Sequence, residues 1–164
     1  MQSNEEELTI APIPVKCWIA AFNVHDLATI VSLYCDDAEL FDSGMARPRR
    51  GKAEIEHWFR WRFSSTPIMY TPTAQSMTDD GQVVISWSAH GRGPRFLDWL
   101  ANSFKVDGES YFTLHAGLIQ RQHGSYDHLA VLRQIIPLLK WLPAGCAHFI
   151  YRIYLWRSKQ SNTR

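Results

Sequence analysis

The sequence predicts an α+β domain built around an antiparallel sheet. Apolar residues recur at spacings of three and four through the first third of the chain, and beyond Pro67 the pattern becomes extended. Helices and strands do not alternate as a doubly wound parallel sheet requires, so a nucleotide fold of that kind is not expected. At 164 residues, 46% hydrophobic and 20% charged, the chain suits one domain with a short appendage and is neither disordered nor collagen-like.

Residues 1–12 read as an acidic lead containing Glu5, Glu6 and Glu7. The lead lacks a basic n-region and does not match a secretory signal, so cytoplasm is the expected address. A first helix starts near Pro14, because a ring with fixed φ and no N–H suits a first helical turn. Val15, Trp18, Ile19 and Phe22 form its apolar stripe. Asp26 caps a short second helix whose one face holds Leu27, Ile30, Val31 and Tyr34. Asp36-Asp37 is expected to break that helix, and 38–42 alternates as a strand. The loop from Ser43 to Gly51 carries Arg47, Arg49 and Arg50. A third helix over Lys52 to about Phe63 turns Ile55, Trp58, Phe59 and Phe63 inward.

Strands follow over 68–77, where Pro72 signals an edge or a bulge, and over 83–89 after the turn Asp79-Asp80-Gly81. The stretch 91–102 is read as holding a single helical turn at 95–100. A strand over 106–114 carries Gly108 as a bulge candidate. After His115-Ala116-Gly117 a last strand runs over 118–122 and on towards Tyr126. The tail from Leu129 to Arg157 is apolar and aromatic but interrupted by Pro137, Lys140, Pro143, Gly145, His148 and Arg152. No uncharged apolar run long enough to span a bilayer occurs in it. It is expected to be a helical extension packed on its own domain or a dimer mate. The alternative is weak contact with a membrane surface through 147–156.

Seventeen Lys and Arg face sixteen Asp and Glu, a net charge of +1, so the chain exerts no global pull on nucleic acid. Cys17, Cys35 and Cys146 are odd in number, widely spaced and without a CxxC pair, which reads as buried free thiols. The seven histidines show neither HxxxH nor HExxH spacing, so no metal and no cofactor are expected. Aromatic residues reach 13%, enough for a deep core, a pocket or a partner surface.

Asp42 is the first candidate for chemistry. In a period-two strand it shares the face of Ala38 and Leu40, so with Leu40 in the core it looks inward from the strand's end. A carboxyl among rings is desolvated and harder to ionise, which suits a general base or acid near neutral pH. The structural alternative, commoner for a loop-starting aspartate, is a cap toward Gly44 or a pair with Arg47 or Arg49. Arg47, Arg49 and Arg50 are otherwise a solvated loop, or greet an acidic ligand.

The run from Trp18 through His25-Asp26-Leu27 and Tyr34 to Glu39-Leu40-Phe41-Asp42, followed by Gly51-Lys52-Ala53-Glu54-Ile55, resembles the opening of the NTF2-like superfamily. Within it the SnoaL-like and ketosteroid-isomerase-like branch is nearest. Residues 108–119 and 126–134 resemble that branch's last two strands and exit, so the likeness covers 13–134, with 135–164 outside it. The resemblance implies a cone: a curved antiparallel sheet wrapped around N-terminal helices, with a pocket in its mouth and a homodimer across the sheet. It also implies that Asp42 stands where ketosteroid isomerases keep a proton-shuttling aspartate. Trp18 stands at the position of their oxyanion-hole tyrosine and Ser110 at that of their second, protonated aspartate. Indole and serine donate hydrogen bonds but are not an acidic pair, so steroid isomerisation is not implied. The Asp–Arg–Asp set of the limonene-epoxide-hydrolase-like members is not found.

Inside such a cone the alternation turns Ile85, Trp87 and Ala89, and Ser110, Phe112 and Leu114, toward the pocket. The expected lining is Trp18, Trp58, Phe59, Tyr70, Trp87, Ser110 and Phe112, with core packing as the alternative for each ring. His90 and His115 fall on the outer faces. The functional expectation is a binder of hydrophobic small molecules, of isomerase or cyclase type if catalytic. The alternative is a non-catalytic dimeric module that uses its apolar tail.

Overall fold

The computed structural model describes residues 12–65, 68–92 and 103–136, together with Trp141, Gly145 and Phe149. Helix α1 (Ile13–Asn23) opens with proline in its first turn and buries Val15, Trp18, Ile19, Ala21 and Phe22. His25 then takes a positive φ of 57° and turns the chain into α2 (Leu27–Ser32). Asp26 caps that helix: its carboxylate accepts from the Thr29 N–H at 3.0 Å and from the Thr29 hydroxyl at 2.6 Å.

Strand β1 (Tyr34–Asp42) starts four residues before the alternation places it. Tyr34 pairs with Ile119 in the ladder and does not sit on a helical face. Asp36-Asp37 does interrupt a regular pattern, but it is the strand's own: the register shifts between Tyr34 and Glu39, and both aspartates are exposed there. Short β2 (Arg49–Arg50) leads into α3 (Gly51–Ser65), which buries Ile55, Trp58 and Phe59.

Strands β3 (Ile68–Met77), β4 (Val83–Arg92), β5 (Ser103–His115) and β6 (Leu118–Tyr126) complete a curved, unclosed six-stranded sheet in the order β2-β1-β6-β5-β4-β3. Both signals of Pro72 are present, since β3 is an edge and its register shifts between Pro72 and Ala74. The sheet departs from pure antiparallel pairing where β6 lies parallel to β1. Ala116 and Gly117, both at positive φ, close the two-residue turn between the paired His115 and Leu118. The helical turn expected at 95–100 lies outside the described residues.

Gly108 is not a bulge. It pairs in register with Trp87 on one side and Tyr126 on the other. A Cβ there would stand 2.6 Å from the Ser125 carbonyl and 2.7 Å from the Trp87 indole, so glycine is needed for close approach.

Helix α4 (His128–Ile135), capped by Asp127 through the Leu129 and Ala130 N–H groups, packs on β5. The tail's beginning, from Leu129, therefore belongs to the domain. The remainder of 135–164 lies almost wholly outside the described residues. Side-chain amides tie both terminal helices to strands. Asn23 bonds the Tyr70 N–H and carbonyl at 2.8 Å each, and Gln134 bonds those of Lys105 at 3.0 Å each. The core fills the space between α1, α3 and the inward rows of the sheet, where Tyr34, Ile55, Ile85 and Phe112 are fully buried. His90 and His115 are on the outside, as their alternation requires. No helix among the described residues is long and apolar enough to cross a membrane.

Candidate functional site

Between the inner face of the sheet and the helices lies a cavity of about 100 Å³, room for a few waters or a small ring. Trp18 from α1, Trp58 and Phe59 from α3, Tyr70 from β3, Trp87 from β4 and Ser110 from β5 line it together with Asp42. Phe112 does not. It is fully buried, edge-on to Trp18 with centroids 5.5 Å apart, and belongs to the core beneath the floor. Alternation gave its face correctly, but depth along the cone decides whether an inward ring meets space or neighbours.

Asp42 ends β1 beside Gly124 of β6, and its carboxyl does two things. Its Oδ1 accepts from the Gly44 N–H at 2.7 Å, closing the local turn that loop-starting aspartates favour. It also opens on the cavity, so the capping and inward readings hold together. Burial pushes the carboxyl above the ordinary 3.8; the Gly44 N–H, the Arg62 charge, the Tyr126 hydroxyl and the His128 charge only partly offset it. The arginines of the loop that follows take other partners. Arg47 grips Glu54 bidentately at 2.8 and 2.9 Å, and Arg50 reaches Glu39 at 3.0 Å. Arg49 lies over the Trp58 ring, 5.4 Å from its centroid.

The polar groups of the cavity are joined to its rings. Trp87 donates its indole N–H to Ser110 Oγ at 3.0 Å, and the Tyr70 hydroxyl meets the same oxygen at 3.3 Å. The indole N–H of Trp18 is spent on the buried Tyr34 hydroxyl at 3.0 Å, and Tyr34 donates in turn to Gln122 Oε1. Trp18 therefore contributes its face to the cavity while its donor serves the interior.

Sequence reasoning did not place Arg62, Gln122, Gly124, Tyr126 or Val131 at the pocket, yet all line the cavity. Arg62 stood in reach of the helical pattern, four residues after Trp58 and three after Phe59. Gln122, Gly124 and Tyr126 form one inward row of β6, and continuing the strand's alternation to Tyr126 exposes it. The arrangement provides a desolvated carboxyl, hydrogen-bond donors and stacked rings around one small space. Among the described residues, no group of three His, Cys, Asp or Glu is placed to hold a metal ion.

A family model described as SnoaL-like domain matches residues 15–122. No curated protein matches the chain. A protein of ketosteroid isomerase-like fold from Catenulispora acidiphila, solved with trimethylamine, superposes with a TM-score of 0.68. It is 20% identical, and the match spans 81% of this chain and 99% of that one. A candidate polyketide cyclase from Pseudomonas putida gives a TM-score of 0.66 at 19% identity over 76% of this chain and 96% of its own. TerC, co-crystallised with polyporic acid, gives 0.60 at 17% identity, over 72% and 92%. At such identities these neighbours show the fold, a ketosteroid-isomerase-like cone, and the family match covers most of the domain built above. The chain belongs to the SnoaL-like domain family.

Proposed function

We propose that the protein binds a small hydrophobic carbonyl compound in this cavity and that Asp42 moves a proton on it, in isomerase or cyclase chemistry. The observation that carries this reading is the Asp42 carboxyl on the wall of an aromatic cavity, desolvated yet open to a guest. A carboxylate there takes a proton from the carbon beside the carbonyl and leaves an enolate. Returning the proton to another carbon isomerises the substrate. Alternatively, the enolate carbon attacks a second carbonyl of the same molecule, a ring closes, and the carboxylic acid protonates the new alkoxide. Each route returns Asp42 to its starting state. The candidate polyketide cyclases among the structural neighbours, and the polyporic acid held by TerC, are consistent with carbonyl-bearing ring compounds as guests. The rings around the cavity supply apolar contact, and the six-stranded wall holds the carboxyl in place.

Native mass spectrometry of freshly purified protein identifies a co-purified guest. With that guest or its class as substrate, Asp42→Asn lowers turnover by about 10²-fold or more while the guest still binds. Unchanged turnover removes Asp42 from the mechanism.

A second reading has its own observation: Trp141 and Phe149 are 90% and 65% exposed. Large rings so placed in an apolar segment suit a partner, a second copy or a membrane surface. Removing the residues after Ile136 then lowers the oligomer mass or abolishes sedimentation with lipid vesicles. A truncated protein that behaves like the full chain leaves the tail without such a role.

A further inference from the structure

We infer that Gln122 is the donor that recognises the carbonyl oxygen of the guest, and that Tyr34 and Trp18 are positioning residues that hold its amide for that role. The inference rests on the carbonyl-binding reading of the cavity and adds the group that reads the oxygen.

The argument is a direction of protons. An indole N–H only donates, so the Tyr34 oxygen must accept from Trp18 at 3.0 Å. Tyr34 is fully buried, and its recorded partners are Trp18 and Gln122, so its single proton points at Gln122. The Gln122 atom facing it must therefore be Oε1, the acceptor. Burial also pushes the Tyr34 phenol up, so that proton stays in place across the working range of pH. With its oxygen committed, Gln122 turns its NH₂ away from the interior.

That NH₂ has no protein acceptor among the described residues, although Gln122 is only 4% exposed and lines the cavity. The NH₂ is not sealed in the core, and Gln122 borders the cavity. A donor pair in such a place is costly to leave unmet and is satisfied by a guest oxygen. Its position fits the chemistry. Gln122 stands on the inward row of β6, opposite Leu40 of β1, and two residues further along that row bare Gly124 lies against Asp42. A Cβ at 124 would sit in ordinary contact with the Asp42 Cβ, 3.5 Å away, so the backbone of this row runs directly beside the carboxyl.

The other donors are less suited. Trp18 has spent its N–H, and the Ser110 oxygen accepts from the Trp87 indole and the Tyr70 hydroxyl, with its own proton held in no one direction. Arg62 and the Tyr126 hydroxyl attend the Asp42 carboxyl, whereas Gln122 presents protons whose direction the interior fixes, and a fixed donor is what stabilises charge developing on an enolate oxygen.

Trp fluorescence of the full chain, with Trp18 and Trp87 on the cavity wall, reports binding of indan-1-one and of indane, the same skeleton without the oxygen. The wild type is expected to bind the ketone about tenfold more tightly than the hydrocarbon, the value of one well-placed hydrogen bond. Gln122→Met brings that ratio to about one while indane still binds, which also shows an intact fold. Tyr34→Phe, which frees the amide to turn, lowers the ratio as well. In both variants the carbonyl stretch of the bound ketone returns to higher wavenumber, a response that a merely structural role does not produce. If Gln122→Met loses indane binding through misfolding, the ratio and stretch in Tyr34→Phe decide. A wild-type preference that survives Gln122→Met, or equal binding of both compounds by the wild type, overturns the role of Gln122 and leaves the cavity reading standing. Failure of the wild type to bind either compound overturns both.

Discussion

Asp42 is held between two opposing demands. Its Oδ1 closes the turn to Gly44, which asks only for an acceptor, while the cavity around it disfavours the charge. Because its folded pKa is raised, the folded state holds this proton more firmly than the unfolded chain does. Stability therefore falls as pH rises from the ordinary aspartate value through the raised one, and the cost persists at neutral pH. Asparagine keeps the acceptor and cannot ionise. Asp42→Asn is thus expected to raise the melting temperature at neutral pH by ~2–4 °C, and the gain should vanish once the medium is acidic enough to protonate the wild type. Differential scanning calorimetry across that range checks it. A variant less stable than the wild type at neutral pH would show that the carboxylate's contacts outweigh its desolvation.

At the scale of elements, the sheet sets the cavity's width through close approaches as much as through rings. Gly108 lets the Trp87 indole lie flat against β5, where it reaches Ser110 at 3.0 Å. Gly108→Ala forces either the Ser125 backbone or the indole to move. It is expected to destabilise the domain by ~1–3 kcal/mol in chemical denaturation and to shift the Trp emission. A fully neutral Gly108→Ala would mean that β5 and β6 yield easily and that the wall is soft. The same elements show what the sequence made legible. Helical stripes and strand alternation placed Trp18, Trp58 and Asp42 correctly, because those periods follow from backbone geometry alone. They missed the start of β1, because Tyr34 suits a helix face as well as a strand. They also missed Gln122, because a glutamine in an apolar row looks like an outward residue until its partner, eighty-eight positions away, is known. Gly108 carried a signal, but turn chemistry and close packing leave the same letter.

At the scale of the whole molecule, the cone brings α1, α3, α4 and five strands to one small space, so the site belongs to no single motif. The class of this fold was visible in the order of helices and strands. Depth was not, since it depends on how far each inward row stands from the cavity floor, and this separated Ser110 from Phe112. The account stands on a carboxyl sheltered by that whole assembly yet within reach of a guest. The most direct measurement is a ¹³C chemical-shift titration of the Asp42 carboxyl carbon, with the cavity empty and then filled by indan-1-one. A midpoint above 3.8 that climbs further when the guest displaces water is the predicted result. A midpoint at or below 3.8 that ignores the guest would contradict it.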